Sequence, residues 1–191
     1  TELVIGGSGA DAIDMIFPRV ANRLLGARFK IVSGYNTSND ILLAMERREV
    51  RGFCGIGWAF LKMRKAELLA EKKINILFQI ALEKAPDLPD IPRVQDLAQT
   101  NDDRQVLEFL LTPQGMGRPF FAPPEVPRER VIALRKAFAD TLKDPDFLQE
   151  AAKTGLDIQF VSGEQVDRLL ERAYATPHEL VERAKDLLHA K

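Results

Sequence analysis

Two turns near the start of the chain combine glycine and hydroxyl residues in the way that anion-binding loops do. The first spans residues 6–10, after an apolar segment at 1–5 and before an amphipathic run at 11–25. The second, at 34–38, again lies between a predicted strand and a predicted helix. Bare N–H groups at a helix N-terminus carry partial positive charge and suit a carboxylate. The sequence therefore predicts a small acidic ligand held largely by main chain at Gly6, Gly7, Ser8, Gly9, Ala10, Tyr35, Asn36, Thr37 and Ser38.

Simpler structural roles also account for these residue types. A tight turn between strand and helix needs glycine without any ligand, and Thr37 and Ser38 are ordinary N-cap residues. The lone cysteine, Cys54, is expected to be a small buried side chain, and Trp58 to be a packing residue. For Arg118 we expect a structural ion pair.

Enzymatic interpretations of the first turn are weaker. Residues 7–12 match G-x-G-x-x-A, but positions 33–34 lack the acid that dinucleotide-binding folds carry near the end of the second strand. An NAD(P)-binding oxidoreductase fragment of Rossmann type stays the alternative. The turn approaches the G-x-S-x-G of serine hydrolases but ends in Ala10, and His178 and His189 have poor context for a triad. We therefore expect a binding protein rather than an enzyme, without a cofactor or a metal.

Composition narrows the class of protein. Among 191 residues, 27 basic and 28 acidic side chains leave a net charge of −1, which does not favour nucleic acid as a partner. One cysteine cannot form an internal disulfide, and with two histidines it cannot build a structural zinc site. The chain opens directly on a strand without an initiator Met or a visible signal peptide, so we expect a processed or truncated piece.

Strand and helix patterns alternate over the first 80 residues. This alternation predicts an α/β fold with a parallel-core sheet flanked by helices. The expected strands are 1–5, 29–32, 50–56 and 74–82, and the expected helices are 11–25, 39–49 and 58–73. The remainder is predicted to be helix-rich, with a proline loop at 83–92, a helix break at 112–117, a strand at 156–161, and helices at 94–99, 102–111, 127–143, 145–154, from 162 and from 177.

Four segments carry a family resemblance in the order in which they occur. They are GYNTSNDI…AMER…VRG at 34–52, GRPF…PP…P…RV…LRKAF at 117–138, DPDF at 144–147 and SGE at 162–164. Over essentially the whole chain the series resembles the extracytoplasmic solute receptors of tripartite tricarboxylate transporters, the Bug receptors. The chain departs from that pattern at Thr37 and Arg48, where glycine is common, and at Arg51, where an acid is common.

The resemblance implies a periplasmic-binding-protein fold of type II, in which two lobes close on a small carboxylate-bearing solute for delivery to membrane permease subunits. It implies a complete second lobe at 1–112, then the return crossing and the C-terminal part of the first lobe at 113–191, with that lobe's N-terminal part missing. It also implies a periplasmic protein whose signal peptide has been removed. Helices after Pro127 should then expose apolar surface, and we expect a homodimer of this chain.

Overall fold

A three-stranded parallel sheet organises the first part of the chain. The computed structural model of the protein describes residues 2–156 and 158–189. Its strands are β1 (Leu3–Gly7), β2 (Phe29–Ser33) and β3 (Gly52–Phe53), in the order β2-β1-β3. β1 pairs with β2 from Leu3↔Phe29 to Gly7↔Ser33 and with β3 at Ile5↔Gly52 and Gly6↔Phe53. The α/β class predicted from the alternating pattern is confirmed.

Helices make up most of the remaining regular structure. None of those in the described chain is long and apolar enough to cross a membrane. Their bounds are α1 Ile13–Leu24, α2 Ser38–Glu46, α3 Trp58–Arg64, α4 Ala66–Ala70, a 3-10 turn Val94–Leu97, α5 Asn101–Met116, α6 Arg128–Thr141, α7 Pro145–Thr154, α8 Gly163–Tyr174 and α9 His178–His189.

Three predicted strands differ from the structure. The predicted strand 50–56 is reduced to β3, because Gly55 turns the chain with a positive φ of 86°. The predicted strand 74–82 is wrong, because the segment makes one isolated bridge, Gln79↔Arg93. The Gln79 side chain instead forms hydrogen bonds with the proline loop. The predicted strand 156–161 is also wrong in its described residues, 156 and 158–161, which have no neighbouring strand to pair with.

Three predicted helix boundaries are wrong as well. The break expected at 112–117 does not occur, since α5 continues through Pro113 to Met116 and ends only at Gly117, whose φ is 63°. The helix expected at 58–73 is interrupted at Lys65, which leaves the helical region with φ −141° and ψ 31°. The helix expected at 39–49 ends earlier, at Glu46, and Arg48 lies in the left-handed region.

The chain divides into two compact units, Thr1–Leu111 with Thr176–Lys191, called unit 1, and Thr112–Ala175, called unit 2. Unit 1 holds the main core, in which α1, α5 and α9 contribute apolar faces. Its buried members are Phe17, Val20, Leu24, Val94, Val106, Leu107, Leu111, Leu180, Ala184 and Leu187. A second cluster in unit 1 joins Ile41, Ala44 and Val50. The division into lobes at 112/113 stays a prediction.

Candidate functional site

The two predicted binding turns follow neighbouring strands at the same edge of the sheet. Gly7, the last residue of β1, pairs with Ser33, the last residue of β2. The Tyr35 N–H donates to the carbonyl oxygen of Gly7 (3.4 Å), which ties the second turn to the first. A Cβ built on Gly6 would lie 3.2 Å from the Tyr35 ring and 2.6 Å from Cγ2 of Ile41. Close packing of the second turn and α2 on β1 therefore requires glycine at this position.

In the first turn, the protein's own carboxylate occupies the hydrogen-bond donors of Ser8. The Ser8 N–H donates to Oδ1 of Asp14 (3.1 Å), and the hydroxyl lies 2.8 Å from Oδ2 and 3.0 Å from Oδ1. Asp14 stands in the first turn of α1 and is only 9% exposed. A carboxylate at this end of a helix is favoured by the helix dipole. The donors predicted for an external anion at Ser8 are thus already in use.

The other residues of the first turn divide by exposure. Gly7 is buried, and an added Cβ would lie 2.2 Å from Sδ of Met15, so a side chain at this position would have to displace that of Met15. Gly9 and Ala10 are exposed, and a Cβ on Gly9 would meet nothing within 4 Å. Of the five predicted residues in this turn, these two are exposed to solvent.

The second turn contains a complete capping box. Oγ1 of Thr37 accepts from the Asp40 N–H (3.2 Å), while Oδ2 of Asp40 accepts from the Thr37 N–H (2.9 Å). Thr37 therefore has the N-cap role that its residue type predicts without any ligand. The N–H groups of Ser38 and Asn39, in the first turn of α2, have no acceptor within the helix, and both residues are exposed, as is Asn36.

Among the remaining candidates, the ion pair predicted for Arg118 is wrong, because this exposed side chain has no ion pair or hydrogen bond among the described residues. Burial first, and the negative charge of Asp14 second, raise the pKa of the Cys54 thiol to about 12. The thiol therefore stays protonated at neutral pH. Cys54 packs against the main core as predicted, but its side chain is only partly buried. His178 is exposed, with Nδ1 3.9 Å from Glu182. No cluster of three or more His, Cys, Asp or Glu that could hold a metal occurs in the part of the chain that the structure describes.

Trp58, at the start of α3, forms a hydrogen bond with the proline loop at 83–92. Its Nε1–H donates to Oδ1 of Asp87 (2.8 Å), and Nζ of Lys62 donates to Oδ2 of the same carboxylate (2.8 Å). The bond from Lys62, and then that from Trp58, lowers the pKa of Asp87. The Lys62 ammonium also lies 5.6 Å from the indole centroid, within range of a cation–π contact. These contacts support a packing role for Trp58.

Comparison with known proteins identifies no relative of the chain. No family model matches the chain, and neither a curated protein nor a solved structure matches it. The site must therefore be judged from its own geometry. That geometry offers open backbone N–H groups at the start of α2, two exposed residues at Gly9 and Ala10, and two internal carboxylates, Asp14 and Asp40.

Proposed function

We propose that the chain binds a small carboxylate-bearing solute as a periplasmic receptor of a tripartite tricarboxylate-type transporter. One observation carries the proposal: two turns of anion-binding composition meet where β1 and β2 end, joined by the bond from Tyr35 to Gly7. Ligands of open parallel sheets bind beyond the carboxyl ends of the strands. The resemblance described above supplies the class of solute, the type II binding-protein fold, the closure of two lobes and the membrane permease subunits as partners.

The start of α2 is the anion seat in this proposal. Ser38 and Asn39 supply backbone N–H groups there, and Asn36 adds a side-chain amide beside them. A carboxylate at this point interacts favourably with the helix dipole. The first turn contributes its exposed residues Gly9 and Ala10, rather than the donors of Ser8.

The internal carboxylates refine the solute class. Asp14 and Asp40 place negative charge in the two turns, so every further anionic group on the solute adds repulsion. We therefore expect a solute with one carboxylate to bind more tightly than a tricarboxylate. A neutral polar or cationic group at its other end would avoid this repulsion.

Ligand-induced stabilisation tests the proposal. The full chain is screened by thermal unfolding against mono-, di- and tricarboxylates, with NAD and NADP included. A solute at about 100 times its Kd stabilises by about 2.7 kcal/mol, which in a protein of this size raises Tm by roughly 5–10 °C. A shift produced by the nucleotides and not by any carboxylate would contradict the proposal and favour the Rossmann-type alternative.

Two substitutions at one position locate the anion seat. Ser38→Pro removes the N–H, and proline suits the first helical position because Thr37 is extended, with φ −139° and ψ 160°. Ser38→Ala removes only the hydroxyl and keeps the N–H, so it serves as the matched control. We expect Ser38→Pro to abolish the carboxylate-dependent shift and Ser38→Ala to retain most of it. Equal shifts in both variants would show that the start of α2 is not the seat.

A further inference from the structure

A pocket of about 290 Å³, open to solvent, lies between the end of α2 and the start of β3. Met45, Arg48, Val50 and Arg51 line it. The pocket is at the opposite edge of the sheet from the two turns, because the Arg51 N–H donates to the carbonyl oxygen of Val4 (2.7 Å), near the start of β1. Its volume is close to the lower limit of small-molecule sites, about 300 Å³.

The backbone holds Arg48 in an unfavourable conformation. Arg48 has φ 63°, in the left-handed region that glycine adopts most easily. It closes α2: the Arg48 N–H donates to the Met45 oxygen (3.0 Å), and the Glu49 N–H donates to the Ala44 oxygen (2.9 Å). This is the glycine position of a Schellman motif. A long cationic side chain at this position costs conformational energy. Residues held in such strained conformations cluster at functional sites.

The charges of the pocket arginines are not neutralised by the protein. Among the described residues, neither Arg48 nor Arg51 has an ion pair or a side-chain hydrogen bond. Of the acidic residues beside them in the chain, Glu49 lies 4.0 Å from Nη1 of Arg47. The other, Glu46, adds to a rise in the pKa of Lys73 that comes mainly from Glu71. Two arginines without an ion pair in the described chain therefore line one cavity.

The two apolar residues of the pocket, Met45 and Val50, pack with the second cluster of unit 1. Val50 is 1% exposed and belongs to the cluster with Ile41 and Ala44, against which Met45 packs. A thioether side chain adapts readily to ligands of different shape. The cavity thus combines two arginines with one accessible apolar side chain, Met45, which suits an anionic head joined to a small apolar body.

From this geometry we infer that the pocket binds a small organic anion. Its oxyanion head, a carboxylate or a phosphate, is held by Arg48 and Arg51, whose planar guanidinium groups match either head bidentately. Its apolar part rests on Met45. This site is separate from the proposed solute site and does not depend on that proposal.

Calorimetric titration of the full chain at low ionic strength tests the inference, with benzoate, phenyl phosphate, inorganic phosphate and benzyl alcohol as probes. We expect benzoate or phenyl phosphate to bind, and the tighter of the two identifies the head group. Binding should weaken at least tenfold in Arg48→Gly and in Arg51→Ala. It should change less than twofold in Arg47→Ala, the matched control, which removes a neighbouring arginine that does not line the pocket.

Two further measurements distinguish loss of the pocket from unfolding and from binding at the two turns. Arg48→Gly should raise Tm, because glycine relieves the left-handed strain, so lost binding in this variant does not reflect unfolding. In Ser38→Pro, the part of the probe binding that the two arginine variants remove should be retained, while any carboxylate binding at the proposed solute site is lost. Unchanged affinity in both arginine variants, or no binding by any anionic probe, would overturn the inference.

Discussion

The two units of this chain differ in how their helices are stabilised. Unit 1 buries apolar side chains from α1, α5 and α9 in one continuous core. In unit 2, by contrast, Ala151 is the one buried apolar side chain among the described residues, and α6 and α8 bury none of theirs. Helices can therefore be well specified by local sequence while their apolar faces stay open. The large apolar residues exposed in unit 2 are Phe120, Phe121, Ile132, Leu134, Phe138, Leu148, Leu156, Phe160, Leu170 and Tyr174.

Local signals define the helices of unit 2. Asp144 accepts from two N–H groups at the start of α7, and Gly155 ends that helix with φ 72°. Ser162 and Gln165 form a capping box at the start of α8. Each cap contributes about 1 kcal/mol to its own helix but does not join one helix to another.

The contacts that join the segments of unit 2 lie near its surface. Arg135 of α6 reaches Glu164 (3.1 Å) and Asp167 (2.9 Å) of α8. The Phe138 ring lies 5.1 Å from that of Phe120 and 6.4 Å from that of Phe160. Exposed ion pairs contribute little to stability. Unit 2 is thus the less stabilised unit, and the predictions below test this difference.

The largest expected effect is a difference in stability between two variants, each with one leucine replaced by alanine, one in each unit. Leu107 is fully buried in the core of unit 1, so Leu107→Ala should lower the free energy of unfolding by about 2–5 kcal/mol. Leu134 of α6 is 58% exposed, so Leu134→Ala should cost less than about 0.5 kcal/mol. Urea denaturation followed by circular dichroism measures both. Equal losses would show that unit 2 contains a core after all.

A smaller effect concerns association. The exposed apolar residues of unit 2 favour burial against a second copy of the chain, so we expect a concentration-dependent dimer in light scattering. Phe121 is 91% exposed, and Phe121→Ser should weaken the dimer about tenfold, or about 1.4 kcal/mol. Leu77→Ser, at a residue of unit 1 that is 56% exposed, is the control and should have little effect. A monomer at high concentration would contradict the prediction.

Much of the fold could be predicted because its signals are local. The glycine turns indicate where β1 and β2 end and where α1 and α2 begin. Parallel pairing of the two strands then places both turns at one edge of the sheet. The apolar run at 74–82 was misleading because a strand also needs a partner, which no local pattern reveals. The polar Gln79 within that run argues against a buried strand. Its amide donates to the Leu88 and Ile91 oxygens and accepts from the Ala85 N–H.

The candidate site was predicted less completely than the fold. The sequence predicts nine residues as the binding site for an external anion, but that prediction does not reveal that carboxylates of the protein itself use some of the hydrogen-bond donors there. Thr37 and Asp40 have the spacing of a capping box, which was a readable signal. Asp14 lies six residues after Ser8, and only the three-dimensional turn brings the two together.

The smallest effect concerns a single ion pair in unit 1. Arg93 contacts Asp96 through Nη2 (2.7 Å) and Nε, and the Arg93 N–H donates to the same carboxylate, so that the pair begins the 3-10 turn. The hydrogen bond from Arg93 holds the pKa of Asp96 below its usual value, and the Arg93 charge adds to this. The pair also connects to Leu82, whose oxygen accepts from Nη1 of Arg93 (2.6 Å).

Because the folded-state pKa of Asp96 is depressed, its contribution to stability is present above the unfolded value and is lost as pH falls through the folded value. For a partly exposed pair we expect Asp96→Asn to cost about 0.5 kcal/mol at pH 7. The difference between wild type and variant should then shrink toward zero below about pH 4, the usual range of Asp. Urea denaturation from pH 7 to pH 3 measures it, with Glu164→Gln as the matched exposed acid in unit 2. A difference that is constant over this range would show that Asp96 acts through its shape and not through its charge.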